Sequence, residues 1–124
     1  MTSIEVARRS RLQRGDSTRG IVRERAFEAA EVLFGQSKVA TGTQSGWHHR
    51  GTRHLYGFIV SGRLRFDYVQ TKMESIEVDP GDFFHIPVGL VHRDVNPDQT
   101  MEEVVVNILL GKGPPLVNVP DPSA

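Results

Sequence analysis

Five histidines are the residues of this chain best suited to chemistry, and three of them lie within seven residues. These are His48, His49 and His54, in a turn-rich segment, and His92 follows on a later stretch. Imidazole is the commonest ligand for zinc, iron, copper and nickel. Three converging neutral imidazoles with open water positions would make a reactive metal centre.

Strand geometry predicts which of these side chains share a face. Because side chains alternate along a strand, His48 and Arg50 should point the same way and His49 the opposite way. A turn at residues 51–52 would let the chain return, so that His54 faces the same interior as His48. A forked guanidinium such as that of Arg50 suits a substrate carboxylate.

Composition narrows the class of protein. The chain has 124 residues, which suits one domain with its own core. It has no cysteine, which excludes disulfides and thiolate chemistry and favours a cytoplasmic setting. Its 15 basic and 15 acidic residues balance, so nucleic acid is not the expected partner. No apolar run approaches the roughly 20 residues of a membrane span.

The sequence predicts short strands as the elements that position the histidines. Apolar and polar residues alternate over residues 63–69 and 75–78, and Val104 to Leu110 reads as a strand buried on both sides. Turn residues at 79–82 and 96–98 separate such runs. One helical turn is expected around residues 24–31. About eight strands and almost no helix favour a jelly-roll or small barrel.

Three segments are expected within this single domain. Seven arginines crowd a basic N-terminal arm, residues 1–25. The barrel takes residues 26–112, and a proline-rich tail takes residues 113–124.

Residues 81–96 carry a spacing that resembles a known family. Gly81 is followed after five residues by Pro87, after one by Gly89, after two by His92 and after three by Asn96. This matches the second motif of the cupin superfamily at every fixed position. The resemblance implies an all-β cupin jelly-roll barrel, also called a double-stranded β-helix.

The first cupin motif is matched only in part. His48 stands at the first ligand position, but Arg50 stands where a second histidine is expected. His54 takes the place of the glutamate if the gap is three residues, and Leu55 takes it if the gap is four. No carboxylate therefore remains in the usual ligand set.

The resemblance implies a divalent metal (Zn, Fe, Ni, Mn or Cu) held by His48, His54 and His92. His49 is a further candidate ligand through a local bulge. Arg50 and Tyr56 are the expected ligand-binding residues.

Two functions follow as alternatives. The first is a small single-domain metal-dependent cupin acting on a small anionic molecule as an oxygenase, isomerase or lyase. The second is a non-catalytic small-molecule-binding or sensory cupin without a functional metal, favoured by the missing glutamate. Whether the chain is an enzyme, and which residues would be catalytic, stays open at this stage. A homodimer is expected, since cupins commonly pair through their sheets.

Overall fold

The computed structural model describes residues 3–123 and shows two antiparallel sheets facing each other. The strands are β1 Gln13–Arg14, β2 Ile21–Ala29, β3 Val32–Val39, β4 Trp47–His49, β5 His54–Ser61, β6 Leu64–Val69, β7 Met73–Val78, β8 Phe83–Ile86, β9 His92–Val95, β10 Glu103–Leu110 and β11 Val117–Val119. Sheet A has the strand order β1-β2-β3-β10-β5-β8, and sheet B the order β11-β4-β9-β6-β7. This arrangement confirms the all-β jelly-roll expectation.

The core lies between the two sheets. It is built from inward side chains of both, namely Leu55, Ile59, Leu64, Phe66, Val78, Ile86, Val105 and Leu109. The alternation along β6, where Leu64 and Phe66 are buried and Arg65 is not, produces this layer as the sequence predicts.

The two turns that frame β8 form as their residue types require. At the entry, Gly81 has φ +91° and the Asp79 amide donates to the Asp82 carboxylate at 2.9 Å. At the exit, Gly89 has φ +69° and is separated from Pro87 by a single residue. The second turn delivers the chain into β9 at His92.

The N-terminal and C-terminal segments contribute strands of their own. Residues 24–31 are not helical: β2 takes them up to Ala29 and pairs with β3 with a bulge between Arg25 and Phe27, and residues 30–31 form the turn between the two strands. The proline-rich tail contributes β11, which pairs with β4. The expected boundaries at residues 25 and 113 therefore fall inside or beside paired structure. In residues 3–123 there is no helix with the length and apolar character needed to cross a bilayer.

Candidate metal centre

His48 and His92 meet at the centre of the sandwich. They are register partners on β4 and β9, and their ring centroids lie 4.3 Å apart. Only 1% of His48 and 2% of His92 is exposed. The structure thus brings together one histidine from each of the two sequence motifs.

Backbone carbonyls fix the orientation of both rings. His48 Nδ1 lies 3.0 Å from the Gly46 oxygen, and His92 Nδ1 lies 2.9 Å from the Leu90 oxygen. Because a carbonyl can only accept, each Nδ1 carries the proton and donates it. Each Nε2 is left with its lone pair, which is the arrangement typical of metal-binding histidines.

Asp94 completes the group and was missed from the sequence. It follows His92 by two residues on β9, so alternation places it on the same inner face. Its Oδ1 lies 3.6 Å from His48 Nε2 and, in the described part of the chain, has no hydrogen-bond partner. One potential ligand atom from each of His48, His92 and Asp94 lies within 4.8 Å of the others. The sequence signal that could have identified Asp94 is its spacing of two residues from His92, which puts both side chains on one face of the strand.

Burial keeps both imidazoles neutral. It is the main cause that lowers the pKa of His48, assisted by the charges of His92, Arg23 and Arg50. It also lowers the pKa of His92, against the opposing charge of Asp94. Neutral imidazole is the form that binds metal.

The space at this centre suits one small occupant. The inner cavity, bounded by His48, His92 and Asp94 among others, has a volume of about 10 Å³. That is the room of about one water molecule. Two oriented Nε2 atoms and a buried carboxylate oxygen lacking a partner fit a divalent cation, which would satisfy all three.

Two buried arginines stand beside the cation position. Arg50 is buried as an inward residue after β4, donates Nη1 to the Pro115 oxygen at 3.2 Å, and has no partner for Nε within residues 3–123. Burial, reinforced by the charge of Arg23, lowers the pKa of Arg50 to about 9. Arg50 lines the same inner cavity as His48, as the alternation of side chains predicts.

Arg23 is the second arginine, and no local sequence pattern identifies it as a site residue. It extends inward from β2, and its Nη1 donates to Thr18 Oγ1 at 2.7 Å. Its Nε and Nη2 have no partner among the described residues. Arg23, Arg50 and Asn107 line both the inner cavity and an adjoining cavity of about 240 Å³, called here the arginine cavity. The unpaired donors suit an anion.

Glu103 is a further buried group that the sequence did not single out as a site residue. It is fully buried at the start of β10, and neither carboxylate oxygen has a partner in residues 3–123. Burial, with the charges of Asp94 and Glu102, raises its pKa to about 9. It is therefore a neutral acid at pH 7.

Three of the expected site residues lie elsewhere. His49 points away from His48, and its Nδ1 accepts from the Gly51 amide at 3.0 Å.

His54 is exposed and lies 2.8 Å from His85, ring nitrogen to ring nitrogen. Tyr56 is exposed on the same outer face and stacks on His85 with centroids 4.7 Å apart. The expectation that His54 shares the interior of His48 is wrong, because β5 begins at His54 with Leu55 as its first inward residue.

Comparison with known proteins agrees with this architecture. The cupin domain family matches residues 35–108. KdgF from a Halomonas species superposes with a TM-score of 0.69 at 17% identity, covering 88% of this chain and 96% of that one. An uncharacterised conserved protein with a double-stranded β-helix domain from Klebsiella pneumoniae gives 0.71 at 13% identity, with 86% and 90% coverage.

A variant of oxalate decarboxylase from Bacillus subtilis also superposes, with a TM-score of 0.71 at 16% identity, covering 82% of this chain and 29% of that one. Identities this low show the fold alone. No curated protein matches the sequence significantly.

Proposed function

The chain belongs to the cupin family, and on that premise we propose that it binds one divalent metal ion through His48, His92 and Asp94 and acts on a small anionic molecule. The observation that carries the proposal is the set of three buried ligand atoms, two of them oriented by backbone carbonyls and one without a partner. When bound, the metal would supply Lewis-acid or oxygen-activating chemistry.

The residues of the chain define what accompanies the metal. Arg50 and Arg23 bind the anionic group of the substrate through donors that no described residue occupies. Besides Arg23 and Arg50, the inner cavity is lined by one carboxylate, Asp94, so a bound divalent cation would leave excess positive charge there that an anionic ligand offsets. Asp16 also interacts electrostatically with both guanidinium groups, and it lines the arginine cavity together with Glu24 and Glu28. We place the reaction among oxygenations, isomerisations and lyase reactions, with zinc, iron, nickel, manganese or copper as the metal.

Metal content of site variants tests the proposal. Protein without a histidine tag is loaded with Zn²⁺, desalted and analysed by mass spectrometry for metal per chain. We expect about one Zn²⁺ per wild-type chain. In His48→Ala, His92→Ala and Asp94→Asn we expect an affinity for Zn²⁺ at least tenfold weaker, so that less metal is retained after desalting. His54→Ala and His49→Ala serve as matched controls and should retain the metal. Equal metal in the wild type and His92→Ala would refute the proposed site.

A second candidate is a binding protein that works without metal. Arg23 and Arg50 lower the pKa of His48, and the same positive field opposes a cation at its Nε2. In that case a small carboxylate would bind with unchanged affinity after treatment with a chelator, whereas the metal-dependent function predicts that binding is lost.

We also propose a cytoplasmic homodimer. The outer face of sheet A carries aromatic pairs Phe58–Phe83 and Phe27–Phe34, and 81% of Phe83 is exposed. Five strands about 4.8 Å apart and about six residues long give this face an outline of roughly 400 Å². Exposed apolar surface of a few hundred Å² is typical of protein interaction sites.

A further inference from the structure

The arginine cavity holds a third guanidinium group that does not reach the metal centre. Arg25 lines this cavity but, unlike Arg23 and Arg50, does not line the inner one. Its Nη1 donates to Glu28 Oε1 at 2.7 Å, and its Nη2 donates to the Arg14 oxygen at 3.4 Å. Its Nε is buried and has no partner among the described residues. Because a buried donor without an acceptor costs free energy, this Nε marks a second position for an anion.

The geometry of β2 places the two anion positions side by side. Arg23 and Arg25 are two residues apart on this strand, so their Cα atoms lie roughly 6.5 Å apart and their side chains share a face. The first position is served by Nε and Nη2 of Arg23 and by Nε of Arg50, and the second by Nε of Arg25. Both border the same cavity of about 240 Å³, so one ligand can reach both without entering the inner cavity.

Two carboxylates that line the cavity are already matched by basic side chains. Glu24 Oε1 lies 3.2 Å from Lys38 Nζ, and Glu28 Oε1 lies 2.7 Å from Arg25 Nη1. These two pairs therefore leave no net negative charge to oppose an anionic ligand.

The remaining charges near the metal centre balance in the same way. Asp16 in the arginine cavity and Asp94 in the inner cavity both act on the charges of Arg23 and Arg50. The two positive charges of a bound divalent cation are then left over. A ligand with two negative charges offsets both of them, whereas a monocarboxylate offsets one.

We propose that the substrate is a short dicarboxylate that lies wholly within the arginine cavity, with one carboxylate on Arg23 and Arg50 and the other on Arg25 Nε. A chain of about five carbon atoms, with bonds of about 1.5 Å, suits the separation along β2. This inference rests on the proposed function and names its substrate class.

Binding of glutarate and pentanoate to Zn²⁺-loaded wild-type protein tests the inference by calorimetry. The two acids have the same number of carbon atoms, but only glutarate carries a second carboxylate. We expect glutarate to bind at least about tenfold more tightly, because its second carboxylate accepts a charge-assisted hydrogen bond from Arg25 Nε. Equal affinities would overturn the inference.

A pair of arginine variants locates the second carboxylate. Arg25→Gln should weaken glutarate by about tenfold and leave pentanoate unchanged, which also shows that the variant is folded. Arg14→Gln removes an equal charge beside Arg25 at a position that does not line the cavity, and it should change neither affinity. Equal effects of Arg25→Gln on the two acids, or of the two variants on glutarate, would overturn the inference.

Arg50→Gln separates failure of this inference from failure of the proposed function. If it weakens both acids, the anion site is supported, and the ratio between the wild-type affinities then decides on the dicarboxylate. If neither acid binds the wild type, or if Arg50→Gln changes neither affinity, the anion site is refuted and this inference is refuted with it.

Discussion

At the scale of single residues, the carboxylate missing from the first sequence motif is supplied by the second. His54 stands where a glutamate was expected, yet its side chain lies on the outer face beside His85. Asp94 provides the acidic oxygen from β9, two residues beyond His92. The donor set of the proposed site is thus assembled on two neighbouring strands of sheet B.

Glu103 should make stability depend on pH in a defined direction. The folded protein keeps its proton up to a pKa of about 9, whereas the unfolded chain releases it near 4.5. Its contribution is therefore complete below pH 4.5 and is lost as pH rises towards 9. The slope of the free energy of unfolding reaches about 1.4 kcal/mol per pH unit at most.

Glu103→Gln should remove that slope, because glutamine does not titrate. Urea unfolding between pH 5 and 8 should show the free energy of unfolding of the variant rising relative to that of the wild type by up to about 4 kcal/mol over that range. Glu102→Gln, at the exposed neighbour, is the control and should follow the wild type. Parallel curves for wild type and Glu103→Gln would contradict the buried-acid assignment. His48 and His92, whose pKa values are lowered, make stability rise with pH. Subtracting the wild-type free energy of unfolding from that of the variant at each pH cancels this contribution.

At the scale of elements, the pairing of β5 with β8 depends on one glycine. Gly57 opposes Phe84 in register, and a Cβ at Gly57 would overlap the Phe84 ring. The aromatic side chain therefore lies where any other residue at position 57 would displace it.

Gly57→Ala should destabilise the protein by about 1–3 kcal/mol, because an overpacked core forces side chains off their preferred positions. Gly46→Ala is the matched control: its added Cβ would meet no atom closer than 3.6 Å, and it should cost under about 1 kcal/mol. Thermal unfolding of both variants measures the difference. Equal stability of the two would show that Phe84 can move freely away from β5.

Local patterns predicted most of these elements and failed where partners are distant. The turns around β8 and the alternation of β6 need only neighbouring residues, and both formed as expected. The inward face of β2 carries Arg23, which breaks the apolar alternation that marks a strand. Its guanidinium donates to the nearby Thr18 but also interacts with the charge of Asp94, which lies on β9 of the other sheet and is outside any local window. For His54, a shift of one residue in where β5 begins sends its side chain to the other face.

At the scale of the whole molecule, the outer face of sheet A is the surface most suited to a second copy. Its aromatic rows continue from Phe83 and Phe58 on one edge to Phe34 and Phe27 near the other. The largest exposed apolar patch of a soluble protein is often an interaction surface.

Phe83→Lys should raise the dimer dissociation constant by at least about tenfold, since it places an unpaired charge within the buried patch. Sedimentation velocity over a concentration series measures this. Met73→Lys, at an exposed position of sheet B, is the control and should leave association unchanged. A wild-type chain that sediments as a monomer at all concentrations would refute the dimer.

The two ends of the chain meet at one end of the sandwich. Thr18 Oγ1 donates to the Asn118 side-chain oxygen at 2.8 Å, and the Pro115 oxygen accepts from Arg50. Arg23 and Pro115 both lie outside residues 35–108, which the family shares, whereas His48, His92 and Asp94 lie inside. Because the two terminal segments contribute Arg23 and Pro115 to the arginine cavity, removing either segment would take a wall away from the proposed anion site while leaving the three proposed metal ligands in the chain.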